Sequence, residues 1–148
     1  MKLLITLLLS GTALFAHVPA PELRLTCTTN QVPTMYGEAR ITFDLFSLGN
    51  DKYTSTMEVV VDGQPTLRFK QPEYIGSRSN FVMNFQPTGP AVQVAQDGTE
   101  TVLPNSRSDI NYSEPFGVWG LTASIKFQPS TASDLSIDYI TTDCKLNP

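Results

Sequence analysis

The chain has 148 residues, of which ten are basic and fourteen acidic, so its net charge is −4. No run of Lys or Arg supplies the basic face that nucleic-acid binding needs, and nucleic acid is set aside as a partner. The length suits one ordinary domain with a single core.

The first sixteen residues have the pattern of a secretion signal. Lys2 supplies one positive charge, an apolar run extends from Leu3 to Leu9, and small residues precede Ala16. This run is too short for a stable transmembrane helix, and no later segment is apolar enough to form one. We therefore predict cleavage after Ala16, export to the periplasm or extracellular space, and a mature single domain over residues 17–148 with no transmembrane segment. Without Lys2, nine basic residues remain against fourteen acidic ones, a net charge of −5.

His17, the only histidine, would stand at the new amino terminus. A copper site of the N-terminal-histidine kind needs a second imidazole, which the chain lacks. Cleavage after Leu14 would instead make this histidine the third residue, but leucine is a poor match at a cleavage point. We interpret His17 as a spacer and predict neither a metal nor a cofactor.

The first two strands are predicted from apolar residues that alternate with polar ones, the pattern of a half-buried strand. Phe46 interrupts the alternation, and we place the end of the second strand there. The positions predicted to face inward are Leu23, Leu25, Cys27, Ala39, Ile41, Phe43 and Leu45.

Two Asp-Gly pairs predict hairpins. In the first, a three-residue connection over 62–64 places Glu58 opposite Arg68 on the outer face. It also pairs Val61 with Pro65, Val59 with Leu67 and Met57 with Phe69. In the second, a two-residue turn at Asp97-Gly98 pairs Val94 with Thr101 and Val92 with Leu103.

The later strands also alternate. Cys144 lies an odd number of residues after Tyr139, so in an unbroken strand their side chains would point to opposite faces. We therefore predict a bulge or a strand end between them. The predicted inward positions are Phe81, Met83 and Phe85, then Trp119, Leu121, Ala123, Ile125 and Phe127, and last Leu135, Ile137 and Tyr139.

Together these segments predict an all-β fold of about eight strands, an antiparallel two-sheet β-sandwich that is jelly-roll-like or Ig-like. An outer-membrane barrel fits less well, because eleven prolines and many polar loops interrupt the strands. In an exported protein, Cys27 and Cys144 are expected to form a disulfide between the first and last strands. The alternative is two free buried thiols.

The chain lacks the residues that several catalytic mechanisms require. One histidine leaves a Ser-His-Asp or Cys-His arrangement without a positioned base, and no zinc or phosphate-loop motif occurs. A glycosidase needs only two carboxylates about 5 to 10 Å apart, and the best candidates are Asp109 and Glu114. Calcium in an oxygen-rich loop is also weighed, although the sequence lacks the D-x-D-x-D-G pattern.

Two polar segments are predicted to form a binding surface, 72–80 and 104–116. They place tyrosine near arginine, a pairing enriched where interfaces carry energy. The predicted contact residues are Tyr74, Arg78, Arg107, Asp109 and Tyr112. The chain is thus predicted to be an exported, non-enzymatic binding or structural module with a protein or glycan partner. The alternatives are a carrier of small apolar ligands with an internal cavity and a carboxylate-based hydrolase.

Overall fold

The computed structural model describes residues 20–34, 36–114, 120–131, 133 and 135–147, and these form eleven strands with no helix. The strands are β1 Glu22–Thr34, β2 Gly37–Gly49, β3 Lys52–Val61, β4 Leu67–Ser79, β5 Val82–Pro87, β6 Ala91–Val94, β7 Glu100–Leu103, β8 Arg107–Ser113, β9 Thr122–Gln128, β10 Ile137–Thr141 and β11 Cys144–Leu146. The predicted all-β class is confirmed, but about eight strands was too few.

All strand pairings among the described residues are antiparallel. Nine strands follow one path through the sheet, in the order β10-β9-β8-β5-β4-β3-β2-β1-β11, while β6 pairs with β4 off this path and with β7. The strands at the two ends of this path, β10 and β11, are neighbours in the chain, separated only by Thr142 and Asp143. The final segment therefore pairs with β9 on one side and with β1 on the other, and the sheet is nearly closed into a barrel. The predicted division into two facing sheets is not confirmed.

The alternation of apolar residues correctly identifies most of the barrel interior. Leu23 and Met83 are only partly buried, and Phe81 is 47% exposed, so its predicted inward position is wrong. The predicted inward positions that are buried are Leu25, Cys27, Ala39, Ile41, Phe43, Leu45, Met57, Val59, Phe69, Phe85, Leu121, Ala123, Ile125, Phe127, Leu135, Ile137 and Tyr139.

The end of β2 was predicted wrongly at Phe46. The strand continues to Gly49, because its backbone remains paired with β3 as far as Lys52. A ladder shift between Ser47 and Gly49 absorbs the change in side-chain alternation. The backbone ladder, rather than the pattern of side chains, decides where this strand stops.

The first hairpin has the predicted register. Met57 lies opposite Phe69, Val59 opposite Leu67, and Glu58 opposite Arg68. Gln64 N donates to Val61 O at 3.0 Å across the connection, and Gly63 has a φ of 78°, a value that suits glycine.

The second hairpin differs from its prediction by one residue. Val94 lies opposite Glu100 and Val92 opposite Val102. The turn contains three residues rather than two, because Ala95 N donates to Thr99 O and Gly98 N donates to Ala95 O. The Asp97 carboxylate accepts a hydrogen bond from Thr99 N at 2.9 Å, which stabilises this longer turn.

The predicted disulfide is present. Cys27 and Cys144 lie directly opposite each other on β1 and β11, with their Cα atoms 4.0 Å apart. The predicted strand end before Cys144 is confirmed as well, because β10 stops at Thr141 and two residues separate it from β11. The bond therefore holds the segment that completes the sheet.

Some predictions lie outside the described residues. These include the secretion signal, His17 and Trp119. Within the described ranges, no helical segment has the length and apolar character of a membrane span.

Candidate functional site

Tyr74, a predicted surface contact, lies in the core. Its side chain has no exposed area, and its hydroxyl lies 2.6 Å from Ser108 Oγ and 3.2 Å from Ser55 Oγ. The prediction of an exposed loop tyrosine is wrong because β4 continues through this polar segment as far as Ser79. Two hydroxyl partners compensate for the burial of the phenol group.

Tyr112 is also buried, and its predicted place on the surface is wrong. It lies on β8, where Ser108, Ile110 and Tyr112 alternate as the inward-facing positions. Its ring stacks on that of Phe85 with 5.7 Å between the centroids. The Asp, Asn and Ser residues of this segment favour turns, which hid the strand from a reading of the sequence.

The three charged members of the predicted surface are exposed but do not converge. Arg78 forms an ion pair with Glu114. The strand register places Arg78 level with Tyr112, five residues along β8 from Arg107, or about 17 Å. Segments 72–80 and 104–116 are therefore brought together through β5, yet Arg78, on β4, is level with one end of β8 and Arg107 lies at the other end. Asp109 lies on the outer face between them.

Burial of Tyr74 predicts alkaline instability. Desolvation is the main reason why the pKa of its phenol is raised to about 12. Hydrogen bonds with Ser108 and Ser55 lower the pKa, and the nearby charge of Asp109 raises it by a smaller amount. In the unfolded chain this phenol ionises near its ordinary pKa of 10. The folded state thus retains a proton that the unfolded state loses, and stability present below pH 10 declines as the pH rises towards 12.

We expect the loss attributable to Tyr74 to be about 2 to 3 kcal/mol, the equivalent of two pKa units. Tyr74→Phe, which lacks the ionisable group, serves as the control. Chemical denaturation at a series of pH values should show the stability of the two proteins converging above pH 10. A constant difference between them across this range would contradict the prediction.

A mainly apolar concavity lies at one end of the barrel, beside the β1–β2 and β3–β4 connections. We call it the mouth pocket. Its volume is about 400 Å³, and it is open to solvent. The apolar side chains that line it include Tyr36, Val61, Pro65, Leu67, Phe69 and Leu135.

The pleat of the first hairpin explains why this pocket is apolar. Val59 and Leu67 face it, while Glu58 and Arg68, their neighbours in the chain, form an outward ion pair at 2.9 Å. Successive side chains of a strand point to opposite faces of the sheet. The charges that make the hairpin polar in composition are therefore held away from the pocket.

The pocket opens where the second hairpin leaves the barrel wall. β6 pairs with β4 only at Phe69 and Lys70. From Tyr74 onward, β4 pairs with β5 instead of β6. At the start of β4, Leu67 has no ladder partner on β6, and both Leu67 and Gln93 line the pocket there. An ion pair of 3.0 Å between Lys70 and Glu100 ties the hairpin to the outer face.

The barrel interior next to the mouth pocket is largely filled by side chains. The cavity bounded by Phe43, Ser55, Tyr74 and Ile125 has a volume of about 10 Å³, close to the minimum for one water molecule. This part of the interior therefore has no room for a molecule larger than one water.

Three uncharged polar side chains complete the lining: Gln64, Gln93 and Ser133. None of the described residues that line the mouth pocket carries a charge. Gln64 comes from the β3–β4 connection and Gln93 from β6, so two hairpins bring them to one opening. Sequence reasoning missed this site because its members are separated along the chain. The single available signal was the correctly registered hairpin over residues 57–69.

A second groove lies on the outer face of β2, β3 and β4. Its volume is about 420 Å³, and it contains Asp44, Glu58, Arg68, Lys70 and Glu100. Glu58 and Arg68 form one ion pair, Lys70 and Glu100 another, and Asp44 Oδ1 accepts a hydrogen bond from Thr26 Oγ1 at 2.7 Å. Four of these charges are therefore paired with one another, whereas the Asp44 carboxylate is hydrogen-bonded to a neutral hydroxyl and keeps its charge.

The described part of the chain brings together no group of three or more His, Cys, Asp or Glu residues suited to a metal ion. No protein family, curated protein or solved structure matches the chain.

Proposed function

We propose that the chain is an exported, non-enzymatic binding protein that holds a small, mainly apolar molecule in the mouth pocket. The observation that carries the proposal is the pocket itself: about 400 Å³, apolar in its depth, with three uncharged polar groups. Small-molecule sites typically combine such a volume with a few polar groups, and the mouths of β-barrels are among their common places. Export is supported by the amino-terminal signal pattern and by the disulfide, which persists in oxidising compartments.

The hydrolase alternative is less well supported. Asp109 lies on β8 and Glu114 just beyond its end. Five residues of extended chain separate them by about 17 Å, beyond the roughly 5 to 10 Å that a glycosidase pair requires. Glu114 also forms an ion pair with Arg78, so its carboxylate is engaged on the outer face and not in a cleft with Asp109.

Filling the mouth pocket should weaken binding of an apolar molecule. We expect Leu67→Trp to weaken binding of the uncharged dye N-phenyl-1-naphthylamine by about tenfold or more, because the indole occupies the apolar volume that the dye needs. Dye fluorescence during titration measures the affinity. Thermal unfolding of the variant checks that it remains folded.

The matched control is Val102→Trp, which adds the same side chain at a position that is 58% exposed and does not line the pocket. Its affinity should equal that of the unaltered protein. The proposal fails if the unaltered protein does not bind the dye, or if both tryptophan variants bind it equally well.

A further inference from the structure

We infer that the mouth pocket selects amphiphiles with an uncharged polar end, bearing hydroxyl, carbonyl or amide groups, over fatty-acid anions and cationic amphiphiles of the same length. This inference rests on the proposed function, since it concerns the ligand class of the same pocket. It is drawn from how apolar surface, carboxamides and charges are distributed around the opening.

The pocket has an apolar floor and a polar rim. Val59, Val61 and Phe69 are each more than nine-tenths buried and form the inner part. Gln64 and Gln93 are exposed at the opening. An elongated ligand buries the most apolar area when its hydrocarbon part enters first and its polar end remains at the rim.

The rim presents hydrogen-bonding groups suited to a neutral partner. Within the described residues, neither carboxamide at the rim forms a side-chain hydrogen bond to the protein. Each carboxamide both donates and accepts hydrogen bonds. Ser133 Oγ accepts a hydrogen bond from Leu135 N at 3.1 Å, so its own hydrogen is available to an acceptor on the ligand.

Two charged residues that are close in sequence to the pocket lining, Asp62 and Arg68, form ion pairs with residues outside it. Asp62 pairs with Arg40 at 3.5 Å, and Arg68 pairs with Glu58 on the outer face. The described lining thus offers no cation for a carboxylate and no anion for an ammonium group. A charged end at this rim loses part of its hydration and gains no oppositely charged partner among the described lining residues, whereas a hydroxyl replaces its lost hydrogen bonds at the neutral groups of the rim.

The test is displacement of N-phenyl-1-naphthylamine from the full mature chain by 1-decanol, decanoate and decyltrimethylammonium at neutral pH, each below its micelle threshold. We expect 1-decanol to displace the dye at concentrations about tenfold lower than either charged compound. Equal or tighter binding of decanoate or decyltrimethylammonium overturns the inference while leaving the proposed function in place. Absence of dye binding contradicts the proposed function, and the inference with it.

A substitution at the rim makes the test independent of ligand solubility. Gln64→Lys places an ammonium group at the opening, on an exposed residue whose contribution to the turn is its backbone N–H. We expect the ratio of decanoate affinity to 1-decanol affinity to rise about tenfold in this variant relative to the unaltered protein. Val102→Lys adds the same charge away from the pocket and should leave decanoate binding unchanged. Equal gains in the two variants would show a non-specific effect of net charge and overturn the inference.

Discussion

Replacement of Cys27 and Cys144 by serine is expected to lower the free energy of unfolding by about 4 to 5 kcal/mol. The bond closes a loop of 117 residues, and a longer loop has more conformational freedom to recover when the bond is lost. In this fold the same bond joins β1 to the short β11, which completes the nearly closed sheet. Its loss therefore also releases the end of the chain from the barrel wall.

Urea denaturation of the double serine variant and of the unaltered protein, the latter with and without reductant, measures this effect. The reduced protein should match the serine variant, which separates loss of the bond from any effect of the serine side chains. A difference of less than about 1 kcal/mol between oxidised and reduced protein would contradict the structural role given to the disulfide.

Phe43→Ala is expected to destabilise the protein by about 3 to 5 kcal/mol. Phe43 is 1% exposed, and on β2 it lies between Cys27 of β1 and Met57 of β3. The substitution removes a ring from the barrel interior, where neighbouring strands held by backbone hydrogen bonds close only part of the space.

Phe46→Ala is the matched control, because it removes the same side chain from the same strand at a position that is only partly buried. Its cost should be smaller than that of Phe43→Ala by about 2 kcal/mol. Equal costs, measured by chemical denaturation, would contradict the assignment of the two faces of β2.

Alternation of apolar residues predicted the strands whose outer faces are plainly polar. β2 and β9 have this pattern, and so does the first hairpin, whose register follows from placing Glu58 opposite Arg68. The disulfide followed from the number of cysteines and the expectation of export. These features depend on local pattern or on simple chemistry, which a single sequence contains.

The features that were missed depend on tertiary context. β8 has the composition of a loop, and burial of Tyr112 against Phe85 supports it as a strand. Tyr74 lies in a similar polar segment but finds hydroxyl partners on β3 and β8. Closure of one sheet, rather than packing of two, depends on the last segment pairing with both β9 and β1, and no local pattern specifies that pairing.

Binding in the mouth pocket can be located by titrating the ¹⁵N-labelled protein with 1-decanol. The change in each amide chemical shift during the titration shows which residues the compound contacts. We predict that saturable shift changes concentrate at Val61, Leu67, Gln93 and Leu135, which line the pocket from four separate segments. Absence of saturable changes there, or changes centred instead on Arg78 and Arg107, would contradict the account.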